Sequence, residues 1–382
     1  MKRKILIVTE RRADYSKFRP VIKEIEKSQK LEYYLVVTGS HLLKEHGYTI
    51  NEIKSDGFKI FSKFEMYPKN RKDTEEEMVS SLGKAIIYLS KIVRKVDPDI
   101  ILAGFDIGAN FAIAIVGAHM NKIVAHMEGG EVTGTIDESI RHATSKFSHI
   151  HFTTNSQATK RLIKLGEDPK FIFTVGNPSL DSIKNVPEIS KFDLEQEFGL
   201  DLNKPFVIVM QHTVTTEIND AKKNILQTLK AISELGIQAI IIHGNADFGS
   251  KKISEIIKKS KFKQYETLSF SKYINLLRHS TALVGNSSSG KMESPFLKIP
   301  SVNIGTRQSG RAKASSVTDV SYNKNDIKNA IKKIMSDKRF LLKIKKQKNL
   351  FGNGNSAKKN YKNFRNHKFG QNPNPKEVDI LK

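Results

Sequence analysis

The residues best suited to chemistry crowd into one run, His126-Met127-Glu128-Gly129-Gly130-Glu131-Val132-Thr133-Gly134-Thr135-Ile136-Asp137-Glu138-Ser139-Ile140-Arg141-His142. Carboxylates held close together in a closed site perturb one another's ionisation, so one can act as a base and another as an acid near neutral pH. A solvated acidic turn explains neither Gly129, Gly130 and Gly134, which let the backbone bend sharply, nor the closing Arg141-His142. The run therefore reads as an active-site loop. A metal is not expected, because neither an Asp-x-Asp nor a His-Glu-x-x-His spacing is present.

Other polar clusters stand where apolar runs end. Thr9 to Lys17 opens a helix and carries Arg12 and Lys17. Such a corner either binds phosphate at a helix N-terminus or is ordinary capping by Asp14 or Ser16. His41, after the second apolar run, reads more as a satisfied structural residue than as a ligand. Asp106 follows Ile100–Gly104 and either caps the next helix or faces a ligand. In the second half, Gln211-His212-Thr213 and His243-Gly244-Asn245 follow buried runs. Gly285-Asn286-Ser287-Ser288-Ser289-Gly290 is a small-residue loop entering a helix, and its hydroxyls and N–H groups suit a diphosphate. Glu293, one turn on, is placed for ribose hydroxyls or else simply faces solvent, and Arg307 is another cation at a strand end.

The elements that must position these groups are a series of strand-length apolar runs separated by helical periods. Expected strands are Lys4–Val8, Tyr33–Val37, Asp99–Ala103, Lys122–His126, His149–Thr153 and Phe171–Val175, then Phe206–Met210, Gln238–His243, Ala282–Gly285 and Ser301–Ile304. Continuous rather than alternating apolar character suits parallel sheets covered on both faces, so each half reads as a doubly wound α/β sheet. Helices are expected over Tyr15–Lys30, Glu75–Val96 and Lys324–Gln347. The polar stretch from Lys184 to Pro205, with Pro187, is the linker, which gives a first domain at 1–183 and a second at 205–340. Residues 341–382 are expected as a helix end and a polar tail, frayed from Asn349.

Composition agrees with a soluble two-domain enzyme. The chain has 382 residues, 38% hydrophobic and 27% charged, and no window approaches a membrane span. Met1-Lys2-Arg3-Lys4 is followed by too short an apolar run for a signal peptide, so a cytoplasmic protein without a membrane partner is expected. Zero cysteines exclude disulfides, thiolate nucleophiles and thiolate metal sites. A net charge of +24 invites a nucleic-acid reading, but the lysines are spread along the whole chain and Trp is absent, which argues for a solvated surface instead.

In chain order, Arg12-Ala13-Asp14-Tyr15-Ser16-Lys17, Thr38-Gly39-Ser40-His41-Leu42, the run from His126 to Lys146, Val214-Thr215-Thr216-Glu217, Gly285-Asn286-Ser287-Ser288 and Gly305-Thr306-Arg307-Gln308 resemble the UDP-hydrolysing UDP-N-acetylglucosamine 2-epimerase family. The resemblance implies two Rossmann-like domains of the glycosyltransferase-B type, a cleft between them, a homodimer or tetramer, and a UDP-sugar as the partner. It implies removal of UDP with inversion at C2, giving N-acetylmannosamine or a related free sugar for nonulosonic acid synthesis. No cofactor is expected, since the redox state does not change. Carried over, Asp106, Glu128 and Asp137 are the acid–base residues. Arg12, Lys17, His212, Ser287, Ser288, Glu293 and Arg307 hold UDP, Arg141 and His142 line the sugar side, Glu131 is catalytic or orienting, and Asn245 joins the substrate-binding set. The chain departs from the family where Gly-Asp-Arg is usual, with Phe105-Asp106-Ile107, and where Gly-Thr-Arg is usual, with Glu10 before Arg11-Arg12. These departures imply rearranged diphosphate contacts, with Arg11 as a substitute, or a different sugar such as UDP-N,N′-diacetylbacillosamine. A non-catalytic relative that only binds sugar nucleotides is the rival from another class.

Overall fold

Apolar runs covered on both faces form the interior strands of two parallel sheets in a computed structural model that describes residues 2–68, 74–105, 108–244 and 247–366. In chain order the first set of elements is β1 (Arg3–Thr9), α1 (Arg12–Glu26), β2 (Leu31–Val37), α2 (Ile50–Ser55), β3 (Ile60–Lys63), α3 (Glu75–Val96), β4 (Ile100–Gly104), α4 (Gly108–His119), β5 (Ile123–Met127), α5 (Ile136–Phe147), β6 (Ile150–Thr153), α6 (Ser156–Lys164), β7 (Ile172–Thr174) and α7 (Ser179–Lys184). There follow α8 (Lys191–Phe198), β8 (Phe206–Met210), α9 (Ala221–Leu235), β9 (Gln238–Ile242), α10 (Ser250–Lys258), β10 (Lys263–Tyr265), α11 (Phe270–His279), β11 (Ala282–Gly285), α12 (Glu293–Phe296), β12 (Ser301–Ile304), β13 (Val317–Val320), α13 (Lys324–Ser336), α14 (Lys338–Lys346) and α15 (Ser356–Asn366).

Two units result. The first comprises Met1–Val132, Ile136–Lys184 and the chain from Phe351 on; the second comprises Asn185–Leu350 together with Thr133–Thr135. The first sheet runs β3-β2-β1-β4-β5-β6-β7 and the second β10-β9-β8-β11-β12-β13. Every strand pair is parallel. Strand order reverses between β1 and β4 in one sheet and between β8 and β11 in the other, and such switch points are where open α/β sheets bind ligands.

Successive β1 side chains divide between two cores: Ile5 and Ile7 pack with α1, while Leu6 and Val8 pack with α3 and α4. In the second unit Val207 and Val209 of β8 pack with Ile225 and Ile232 of α9 and with Ile331 of α13. Each fully buried aliphatic side chain of this kind contributes roughly 1.5–3 kcal/mol. The Thr74 hydroxyl caps α3 by accepting from Glu77 N, and Asp97 ends it in a left-handed turn before Pro98. None of the described helices is long and apolar enough to cross a membrane.

Three strands lie outside the sequence expectation: β3, β10 and β13. All three are sheet edges whose residues are mostly half-exposed, so no continuous apolar run marks them. Where a frayed tail is expected from Asn349, α15 returns to the first unit. The Asp181 carboxylate accepts from Ser356 N at 2.9 Å and Ala357 N at 2.7 Å, satisfying the first turn of α15. Phe364 packs edge-on against Phe152 of β6.

Candidate functional site

Beside the switch point of the first sheet lies a buried ion pair. Phe105 and Glu128, directly after β4 and β5, have φ of +71° and +62°, a left-handed conformation that costs a non-glycine residue about 1–3 kcal/mol. It turns the Glu128 side chain inward, where only 2% of the residue is exposed. Glu128 Oε1 forms an ion pair with Lys17 Nζ at 2.8 Å and accepts a hydrogen bond from Asn177 Nδ2 at 3.0 Å. The Lys17 ammonium also stands 4.4 Å from the centre of the Phe105 ring. Burying a carboxylate is costly unless it has a charge partner and a hydrogen bond, and Lys17 and Asn177 supply the two. Lys17, expected among the UDP ligands, is thus engaged with the expected acid–base residue. Asn177 is not among the residues singled out from sequence; its signal is the Gly176-Asn177-Pro178 turn after a strand. Asp106 and Asn245 lie outside the described residues.

Beyond Glu128 the chain makes a glycine turn. Gly130 has φ +76°, and a Cβ there would stand 2.3 Å from the Ala158 carbonyl oxygen, so only glycine fits. The turn buries Glu131, whose Oε1 accepts from Asn155 Nδ2 at 2.6 Å and from the Thr154 hydroxyl. Asn155 also caps α6 through Ala158 N. Glu131 is thus held by side chains of the β6–α6 loop. Asp137 sits in the first turn of α5, where the helix dipole favours a carboxylate. Arg141, on the same face four residues on, is 1% exposed. Burial holds the His142 imidazole below its ordinary pKa although Glu138 Oε1 lies 3.6 Å from Nε2. The far end of α5 is tied to β5 by Ser145 Oγ and His126 Nδ1, 3.0 Å apart.

At the end of β1 the polar groups serve one another. Asp14 accepts from the Thr9 hydroxyl, from Glu10 N and Arg11 N, and from Asn110 Nδ2. His41 contacts Thr9 Oγ1 at 3.0 Å and Thr49 Oγ1 at 2.7 Å. Burial pushes the Asp14 carboxyl up to about 6 and the His41 imidazole down to about 3. His41 is the satisfied structural residue expected. The Glu10 carboxylate accepts from Ala109 N at 2.8 Å, in the first turn of α4, and from Tyr67 OH at 2.6 Å. It also pairs with Arg11 at 3.4 Å, so the expected substitute cation is bound to the residue that precedes it. Arg12 begins α1 at partial exposure.

The second switch point is organised by a neutral side chain. Asn286 is fully buried; its Oδ1 accepts from His212 N at 2.7 Å and its Nδ2 donates to the His212 carbonyl at 2.9 Å. Its own carbonyl accepts from Arg307 Nη1 and Gln308 Nε2, both at 3.2 Å. One residue therefore joins the ends of β8, β11 and β12. Gly285 makes this possible: at φ +132° it passes so close to β8 that a Cβ would lie 2.1 Å from the Met210 oxygen. Ser287 caps the following 3₁₀ turn through Ser289 N, Ser288 is partly exposed, and Glu293 begins α12 nearly buried. Glu217 accepts from Tyr322 OH at 2.9 Å and from the Thr306 hydroxyl, which secures the β12 loop to the β8 loop. Gly134 N donates to the Arg307 carbonyl at 3.1 Å within the same unit.

The model of the family described as UDP-N-acetylglucosamine 2-epimerase matches residues 23–364. The chain is 35% identical over 337 residues to a UDP-N-acetylglucosamine 2-epimerase of Neisseria meningitidis serogroup B, covering 87% of this chain and 88% of the relative. It is 32% identical over 365 residues to the hydrolysing UDP-N,N′-diacetylbacillosamine 2-epimerase of Legionella pneumophila, covering 94% and 95%. Among solved structures, that of the Neisseria meningitidis UDP-GlcNAc 2-epimerase bound to UDP-GlcNAc superposes with a TM-score of 0.81 at 19% identity, covering 94% of this chain and 99% of that one.

Proposed function

This chain belongs to the UDP-N-acetylglucosamine 2-epimerase family, and on that premise we propose that it is the hydrolysing kind, releasing UDP and a free 2-epimerised sugar from UDP-N-acetylglucosamine. The observation that carries the reading is the buried, doubly held carboxylate of Glu128.

In the proposed reaction a base takes the C2 proton while the C1–O bond to UDP breaks, so the electron pair of the C–H bond becomes the glycal double bond and UDP leaves with the pair of the C–O bond. A proton at C2 is too weakly acidic to leave by itself, so its removal must be coupled to stabilisation of the departing diphosphate. Water then adds its oxygen to C1, and C2 is protonated on the face that inverts it. The net change is UDP-N-acetylglucosamine plus water to UDP plus N-acetylmannosamine. Asp106, Glu128 and Asp137 are the acid–base groups of this reading, with Glu131 orienting and Arg141 and His142 on the sugar side. Arg12, His212, Asn245, Ser287, Ser288, Glu293 and Arg307 hold the nucleotide.

A second substrate, UDP-N,N′-diacetylbacillosamine, is favoured by the Legionella relative and by Phe105 and Ile107 around Asp106. Incubation with both UDP-sugars in D₂O, followed by NMR, tests the two together. UDP release with deuterium at C2 of a free sugar is expected. Epimerised sugar still bound to UDP would make the chain non-hydrolysing, and neither UDP release nor deuterium would overturn the enzymatic reading.

A further inference from the structure

Asn177 bears on how Glu128 is used, and its role rests on the acid–base function proposed for that carboxylate. Asn177 Nδ2 donates to Glu128 Oε1, the Lys17 ammonium pairs with the same oxygen, and among the described residues none hydrogen-bonds Oε2. We propose that Asn177 is a positioning residue that, with Lys17, locks Oε1 and so presents Oε2 as the oxygen that exchanges a proton with the sugar.

The terminal torsion of a glutamate is broad, so one contact leaves the carboxylate plane free to swing. An ammonium on a four-carbon stem does not remove that freedom, because its three donors rotate. The planar amide of Asn177 does. It is fully buried and fixed at three points: Oδ1 accepts from Ser179 N at 2.9 Å, Nδ2 donates to Glu128, and its backbone N donates to the Phe351 carbonyl at 2.8 Å. Ser179 N–H is a donor only, so it requires the amide oxygen and leaves the NH₂ for Glu128; the amide cannot be turned around. The amide hydrogen bond and the ammonium charge both engage Oε1, and proton transfer falls to the other oxygen.

Two variants of the full chain isolate this role. N177D keeps an acceptor for Ser179 N but loses the donor; N177L loses both but adds no charge beside Glu128. The loss they share is the Nδ2–H donor. Steady-state UDP release from the sugar nucleotide that the wild type turns over should show kcat down about 10- to 100-fold in both variants, with KM within about threefold, the scale expected when a reacting group is misplaced. Wild-type kcat in N177L overturns the inference, since a loss confined to N177D would be charge repulsion alone. Wild-type kcat in N177D with a loss in N177L also overturns it, because the role would then be the scaffold bond to Ser179. A wild-type chain that releases no UDP overturns the proposed function and the role of Asn177 with it. An active wild type matched by both variants sinks the inference alone.

Discussion

The ends of β4 and β5 in the first unit and of β11 and β12 in the second occupy the same topological position, yet they are built from opposite materials. The first holds a buried ammonium–carboxylate pair and places positive φ on Phe105 and Glu128, residues that resist it. The second is centred on the uncharged amide of Asn286 and places its unusual φ on Gly285, which tolerates it. Strain and buried charge suit groups whose protons must move, because a stiff surrounding keeps them in a costly arrangement. A neutral framework fixes loop shape without buried charge, and under the proposed function Ser287, Ser288 and Arg307 on these loops hold the nucleotide.

If that contrast is right, variants in the two places should fail differently. Glu128→Gln should lower kcat by about a thousandfold, within the range for a lost acid–base group, while UDP affinity measured by calorimetry stays within about threefold. A matching loss of UDP affinity would break the comparison from the first side. Asn286→Ala strands the buried N–H and carbonyl of His212, so chemical denaturation should show a loss of about 2–3 kcal/mol, together with weaker UDP binding. Unchanged UDP affinity in a folded variant would break it from the second side.

The smallest effect sharpens the electrostatic half of the contrast. His41, held near 3 from an ordinary value near 6.5, leaves the unfolded chain binding the extra proton in between, so this group withdraws stability as pH falls below 6.5. Asp14, held near 6 from 3.8, works the other way: the folded chain carries the extra proton, and stability is gained as pH falls through 6. Between pH 4 and 6 the two oppose each other. Asp14→Asn should leave the His41 effect alone, and unfolding free energies at pH 4, 5 and 6 should then decline with acid by up to about 1.4 kcal/mol per pH unit, more steeply than in the wild type. Equal slopes would show that the two groups do not offset each other.

How much of this is legible in the sequence depends on where each residue finds its partners. β8, β11 and β12 have the bounds expected from their apolar runs, and so does α3, because local pattern specifies interior strands and long amphipathic helices. The edge strands β3, β10 and β13 lack that pattern. Lys17 reads from sequence as a phosphate ligand because a cation at a helix start looks free; its carboxylate lies far along the chain, and no periodicity announces such a pair. The carboxylate run is visible as composition, whereas the division between Glu128, held from α1 and the β7–α7 turn, and Glu131, held from the β6–α6 loop, belongs to tertiary structure. Asn177 is quiet in sequence because one asparagine after a strand looks like any other turn residue, and Asn286, though inside a run that stands out for its hydroxyls, shows its part in joining β8, β11 and β12 only in tertiary structure.

The docking of α15 reaches into the order in which the protein is made. The first unit is begun by β1 but closed only when Phe351–Phe364 emerge from the ribosome, whereas Asn185–Leu350 contains all of the second unit except Thr133–Thr135. Domains usually fold in the order of synthesis. Here the later one is ready first, while the Asp181 carboxylate and Phe152 await a helix not yet translated. A message truncated near codon 350 would therefore yield a nearly whole second unit attached to an unfinished first one.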